Sequence, residues 1–213
     1  MTVDRRAFLA LLGGSVRGAA DQALDIQMLQ TAASVENALV AAYETILGLP
    51  SFTAATANGV VRNLLTTARD QHTQHAAACN ELASRLGGRP QPGANAFLAG
   101  AVAAARPALN DLARAVELAL ELELASAHTY QFDLGLLADV NARRMAASIL
   151  GVESQHAGML RVVRHLLSAR LPEMVNLDTG TVLRLPREAG TAAAPEPFAK
   201  PDQARPAADG AVA

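Results

Sequence analysis

Glu153 and His156 stand three residues apart in a stretch whose apolar residues, Met145, Ile149, Val152, Leu160, Val163 and Leu167, recur at helical spacing. Side chains at i and i+3 leave the same face of a helix, so this carboxylate and this imidazole point where the helix buries surface. A carboxylate without a partner is costly to bury. A metal ion would compensate it, and so would an arginine or lysine, but the stripe contains neither Arg nor Lys. Alone, Glu-x-x-His can also be a partly exposed helix edge. A partial copy lies earlier, in His72-Thr73-Gln74-His75, whose histidines share a stripe with Val61, Leu64, Ala68, Cys79, Leu82 and Leu86. One histidine on an apolar face is usually a satisfied core residue, whereas two on one face suit a ligand pair. Cys79 reads as a small core residue.

Two more carboxylates fall on apolar stripes. Glu36 lies at the edge of Leu24, Met28, Ala32, Val35, Leu39, Tyr43 and Ile46, and Glu123 sits centrally on Leu112, Val116, Ala119, Ala127, Tyr130, Leu134 and Leu137. The elements that must position these groups are therefore four long helices. The spacing predicts them over about 21–47, 54–86, 107–137 and 140–169. Gly48-Leu49-Pro50 stops the first, Gly87-Gly88 with Pro90 and Pro92 stops the second, and Leu171-Pro172 ends the fourth. Pro107 suits the first turn of the third helix. The segment from 88 to 106, with a short apolar helix over 94–105, is long enough to run the length of a bundle and start the third helix from the far end.

The two hairpins are versions of one another. Tyr43 follows Glu36 by seven residues and Tyr130 follows Glu123 by seven, and these are the only tyrosines in the chain. The midpoint between Glu36 and His72 is residue 54, and that between Glu123 and Glu153 is residue 138, each inside an expected turn. Paired hairpins then bring all six polar groups to one height. His128 and His165 lie off these faces and are expected at the surface or at helix ends.

Composition sets the class and excludes others. The chain has 213 residues, few aromatics and no Trp, which suits close-packed helices. Its net charge of −2 and lack of a basic run argue against nucleic acid. A single cysteine rules out an intrachain disulfide. Residues 1–20 place Arg5-Arg6 before the short apolar run Ala7–Leu12. This resembles a twin-arginine export signal, too short to span a bilayer; the competing reading is an ordinary N-terminal helix of a cytoplasmic protein. The organisation is thus a signal segment at 1–20, a bundle over 21–172 and an extended or disordered Ala/Pro-rich tail at 173–213. Within that tail Val182-Leu183-Arg184-Leu185 could lie as a strap.

Over about residues 24–170 the pattern resembles the ferritin-like di-iron and di-manganese carboxylate proteins, in which two helices give a Glu and two give Glu-x-x-His. Glu36, His75, Glu123, Glu153 and His156 match residue by residue. The layout is similar to exported bacterial ferritin-like proteins of the desiccation-related type. The resemblance implies an all-α, antiparallel four-helix bundle with a crossover between helices 2 and 3. It implies iron or manganese as cofactor, two ions or one, with Tyr43 and Tyr130 as hydrogen-bond partners of the ligands. Oxidation of Fe(II) or consumption of peroxide would follow from such a site, and a homodimer is compatible with it. His72 departs from the family by standing where a bridging Glu is expected, which leaves a looser two-metal site, a single metal or a vestigial site open. The alternative is a metal-free structural, stress or envelope-binding protein. A storage cage is disfavoured because nothing after Pro172 resembles a short fifth helix.

Overall fold

The structure is a computed structural model that describes residues 18–54, 59–109, 111–170, 204–206 and 208–212. The expected export segment, apart from residues 18–20, and the Val182–Leu185 strap lie outside the described residues. The described elements are all helical: α1 (Ala19–Leu47), α2 (Pro50–Thr53), α3 (Gly59–Arg85), α4 (Ala96–Ala105), a 3-10 turn (Arg106–Ala108), α5 (Leu112–Leu136) and α6 (Val140–Ser168).

α1 pairs along its length with α3, α5 pairs with α6, and α1 also packs on α5. The carboxylate of Asp25, near the start of α1, accepts the backbone N–H groups of Ala138 and Asp139 at 2.8 Å each. The α5–α6 turn therefore lies at the α1 N-terminal end, so α1 and α6 run one way while α3 and α5 run the other. This is the antiparallel four-helix bundle expected, with α4 in the crossover. Two apolar clusters fill it. One gathers Val35, Leu39, Leu65, Val116 and Leu160 toward one end, and the other gathers Met28, Leu82, Tyr130 and Ile149 toward the other. The polar residues singled out above lie between them.

The helix ends follow local chemistry. Asn95, Asp111 and Asp139 cap α4, α5 and α6 by accepting backbone N–H groups with their side chains. α3 ends in a Schellman motif: Gly87 has φ +90°, its N–H reaches the Ser84 carbonyl at 2.9 Å, and the Gly88 N–H reaches that of Ala83 at 2.9 Å. A Cβ at Gly88 would come within 2.4 Å of Ile26 Cγ2, so glycine lets α1 approach closely here.

Several boundaries differ from those expected. Ala54 is extended and ends a separate turn, opened by Pro50, that seats the fully buried Phe52, so α3 starts beyond residue 54. α5 begins at Leu112 rather than 107, since Pro107 sits in the 3-10 turn and Asp111 supplies the cap. α6 ends at Ser168. Its buried face is rotated from the expected stripe, with Ala146, Glu153, Ala157 and Leu166 buried while Val152 and Leu167 lie at its edge.

Residues 204–206 and 208–212 of the tail lie on the bundle. Gln30, Thr31 and Ser34 make a buried polar patch on α1 that needs partners. The crossover and the tail supply them. Gln30 Nε2 donates to the Arg89 carbonyl at 2.9 Å, the Gly210 N–H donates to Thr31 Oγ1 at 3.1 Å, and the Val212 N–H donates to Gln30 Oε1 at 3.2 Å. A Cβ at Gly210 would meet Ser34 Cβ at 2.8 Å and Thr31 Cα at 2.9 Å, so only glycine seats there. The Arg205 guanidinium lies 4.0 Å above the Phe97 ring. No described helix is long and apolar enough to cross a membrane.

Candidate metal centre

Each of the four long helices delivers its polar residues to the middle of the bundle. Glu36 on α1, His72 on α3, Glu123 on α5 and Glu153 on α6 are all fully buried, His156 is nearly so, and the His75 side chain is 13% exposed. All six residues singled out by spacing come together. Glu36, His72, His75 and Glu153 offer donor atoms within 4.8 Å of one another, and so do His72, Glu123, Glu153 and His156. His72 and Glu153 belong to both sets, while Glu36 with His75 and Glu123 with His156 form the two ends.

The hydrogen bonds sort these groups into satisfied and unsatisfied. His72 lies at the centre, with its ring centroid 5.9 Å from that of His75, 5.3 Å from that of His156 and stacked 5.4 Å from Tyr43. Its Nδ1 is 2.7 Å from Glu36 Oε2 and its Nε2 is 3.1 Å from Glu123 Oε1. Two carboxylates on two ring nitrogens favour the imidazolium, because only that form donates from both. Burial pulls the His72 pKa down, but Glu123 and Glu36 outweigh it and hold it well above the usual imidazole value. Glu36 shows the reciprocal effect: burial alone would raise its pKa, and His72 and His75 bring it below the ordinary carboxylate value.

The tyrosines are crossed between hairpins. Tyr43 of α1 donates to Glu123 Oε1 on α5, and Tyr130 of α5 donates to Glu36 Oε1 on α1 at 2.6 Å. Burial, and then the neighbouring carboxylates, push both phenols up, so both remain protonated donors. Such donors fix carboxylate orientation from behind, as outer partners of metal ligands do.

What remains is a group of buried atoms with no hydrogen-bond partner. They are both oxygens of Glu153, Oε2 of Glu123, Nδ1 of His75 and Nδ1 of His156. They are close, since His75 Nδ1 lies 3.0 Å from Glu153 Oε1 and His156 Nδ1 lies 3.3 Å from Glu123 Oε2. Yet they are not aligned as hydrogen bonds. Burial raises the Glu153 pKa well above its usual range, and Glu36 and Glu123 raise it further. Burial lowers the His75 pKa, but Glu153 and Glu36 carry it up to about 9. Oxygen and imidazole donors converging without partners are the set that first-row divalent metals take, so these residues fit a metal.

Residues 24–166 match the ferritin-like domain family. The chain belongs to it. Neither a curated protein nor a solved structure matches the chain. As a ferritin-like protein it keeps a buried His/Glu cluster that could hold metal, with His72 in a position shared by both halves.

Some residues around the centre were not foreseen. Gln71 Oε1 lies 2.6 Å from His156 Nε2, so it can accept that N–H and orient the ring; one residue off the stripe, it carried no periodic signal. Asp133, one turn beyond Tyr130, is buried, and burial alone pushes its carboxyl up to about 8. Cys79 is a core residue as read, with its Sγ 3.5 Å from the Tyr130 hydroxyl and its thiol pushed up by burial. His128 is not at the surface as expected but buried, because α5 is covered on more than one side. His165 is half-buried in the last turn of α6.

Proposed function

We propose that this ferritin-like protein binds two divalent ions, iron or manganese, through Glu36, His72, His75, Glu123, Glu153 and His156. The observation that carries the reading is the set of buried, unpartnered Glu153, Glu123, His75 and His156 atoms. A fold does not leave such atoms bare without cost. Glu36 and His75 would hold one ion, Glu123 and His156 the other, with Glu153 and His72 between them. Bound iron or manganese would supply the redox chemistry, of Fe(II)-oxidising or peroxide-consuming kind. The chain's own part is to orient and to hold protons. Tyr43 and Tyr130 fix the inner carboxylates, and Gln71 fixes His156. His75 keeps its proton at neutral pH until a ligand role displaces it.

One observation favours the metal-free alternative, a structural or stress protein of the envelope. His72 already neutralises Glu36 and Glu123, so the cluster is partly balanced by itself. Metal analysis of protein purified without a histidine tag, then loaded anaerobically, separates the two. The metal reading expects about two ions per chain. Loading should also release protons at neutral pH, since histidine must be neutral to ligate and His75 titrates near 9. No uptake would leave the metal-free reading standing.

Export belongs to the same proposal. Arg5→Lys combined with Arg6→Lys should leave the protein in the cytoplasm, because the paired guanidinium groups are what the twin-arginine machinery reads. Cell fractionation checks this, and unchanged export of the variant would reduce the segment to an ordinary helix.

A further inference from the structure

The crossover helix α4 has a composition at odds with its position. Its ten residues, Ala96–Ala105, are only Ala, Gly, Val, Leu and Phe. A helix that is apolar all round is normally buried all round, yet Leu98 is the only buried residue of α4. Phe97 is 62% exposed, the most exposed large apolar side chain among the described residues. Ala101 and Ala104 follow it at i+4 and i+7 and are exposed as well, so the three share one outward face. No charge interrupts that face, since the chain carries none between Arg89 and Arg106.

The docked tail starts beside this face. The Arg205 guanidinium lies 4.0 Å above the Phe97 ring, and the Arg205 N–H donates to Thr129 Oγ1 of α5 at 3.2 Å. From there the chain passes to α1, where Gly210 is seated against Thr31 and Ser34. What precedes Arg205 must therefore arrive at the α4 face. Residues 193–203, outside the described part, read Ala-Ala-Pro-Glu-Pro-Phe-Ala-Lys-Pro-Asp-Gln, and Phe198 is the only large apolar side chain between Leu185 and Val212. The chain from Phe198 to Arg205 reaches up to about 24 Å, whereas α4 is about 15 Å long. Every residue of α4 is within that reach. Pro195, Pro197 and Pro201 restrict the segment before it docks, which lowers the entropy cost of ordering it.

We propose that residues 193–203 dock on the outer face of α4, with Phe198 against Ala101 and Ala104 beside Phe97, continuing the path of the docked tail over the crossover. Continuity carries the choice of occupant. Because Arg205 is already held on Phe97, the preceding residues meet α4 as an intramolecular partner, at an effective concentration on the order of millimolar. A second copy would have to displace that tethered segment. It would do so across a helix about 15 Å long, too short by itself for the about 800 Å² per partner of a stable interface. Neither α4 nor the segment includes a candidate metal ligand, so this contact and the metal reading stand or fall separately.

The chain contains no tryptophan, so Phe198→Trp in the full-length protein supplies a single emitter within the segment. Its emission should lie at shorter wavelength than that of a synthetic peptide of residues 193–203 with the same substitution, and acrylamide should quench it several-fold more slowly. Adding Ala101→Glu with Ala104→Glu should return both readings to those of the peptide. Both alanines are exposed, and unchanged helicity shows that the variant folds. Peptide-like emission and quenching in the Phe198→Trp protein overturn the proposal with no need of the second variant. Protection that the two glutamates leave intact overturns it too. Protection that fades on dilution, with a dimer in sedimentation, would assign the face to a second copy and overturn the proposal as well.

Discussion

Glu153→Leu should abolish metal binding and at the same time stabilise the metal-free protein. Glu153 is the only residue of the centre with both side-chain oxygens buried and unpartnered. It is also one of the two shared by both ligand sets. On the metal reading proposed above, losing it would remove a donor shared by both ions, so affinity should fall by more than the about 10–100-fold that follows loss of an outer partner. The stability effect has the opposite sign. An unsatisfied buried polar group costs about 1–3 kcal/mol, and Leu fills similar volume without that cost. In a chain of this size each kcal/mol moves the melting temperature by about 2–4 °C. Thermal melts in chelator and metal titrations on the same samples check both halves. A variant that melts lower in chelator would make Glu153 a structural partner of His75, whose Nδ1 lies 3.0 Å away, and the metal reading would lose its main support.

Opposed signs would mark a residue retained for function against stability. That tension is what made the centre legible in the sequence. Glu36, Glu123 and Glu153 stand out because carboxylates have no business on an apolar stripe, and the matching hairpin midpoints put them at one height from spacing alone. Spacing along a helix fixes which face a residue takes, but not which residue of another helix it meets. The crossing of Tyr43 to Glu123 and of Tyr130 to Glu36 is therefore hidden in the sequence, although the matched spacing marks both tyrosines. Gln71 was hidden for a related reason, since its partner His156 comes from the other hairpin. The buried patch of Gln30, Thr31 and Ser34 shows a second limit. Three polar residues on the back of α1 carry no signal of burial along the helix, and only the paths of the crossover and of residues 204–206 and 208–212 reveal that chain covers them. The tail itself has the composition of a disordered segment. Its docking depends on the missing Cβ at Gly210 rather than on apolar burial, and no hydrophobic period announces such a contact.

His72 poses the sharper question, because it stands where the resemblance drawn from the sequence implies a bridging Glu. In the metal-free protein its imidazolium lies between Glu36 and Glu123 and acts as an internal cation at the centre of a carboxylate cluster. That lets the bundle close without metal, at the expense of a proton and two ion pairs that any loading would have to displace. His72→Glu should invert the balance. The substitution replaces the cation with a fourth buried carboxylate, and breaking a buried pair from one side costs about 3–5 kcal/mol. The metal-free variant should therefore melt far below the parent in chelator. Divalent ions should then raise its melting temperature by more than they raise the parent's, since tight binding to the folded state alone adds stability and the added carboxylate strengthens that binding. Melts of parent and variant with chelator and with Mn(II) measure both differences. Equal melting temperatures in chelator would mean that His72 is not the cation that holds Glu36 and Glu123 together, and the account of why this chain carries histidine at that position would be wrong.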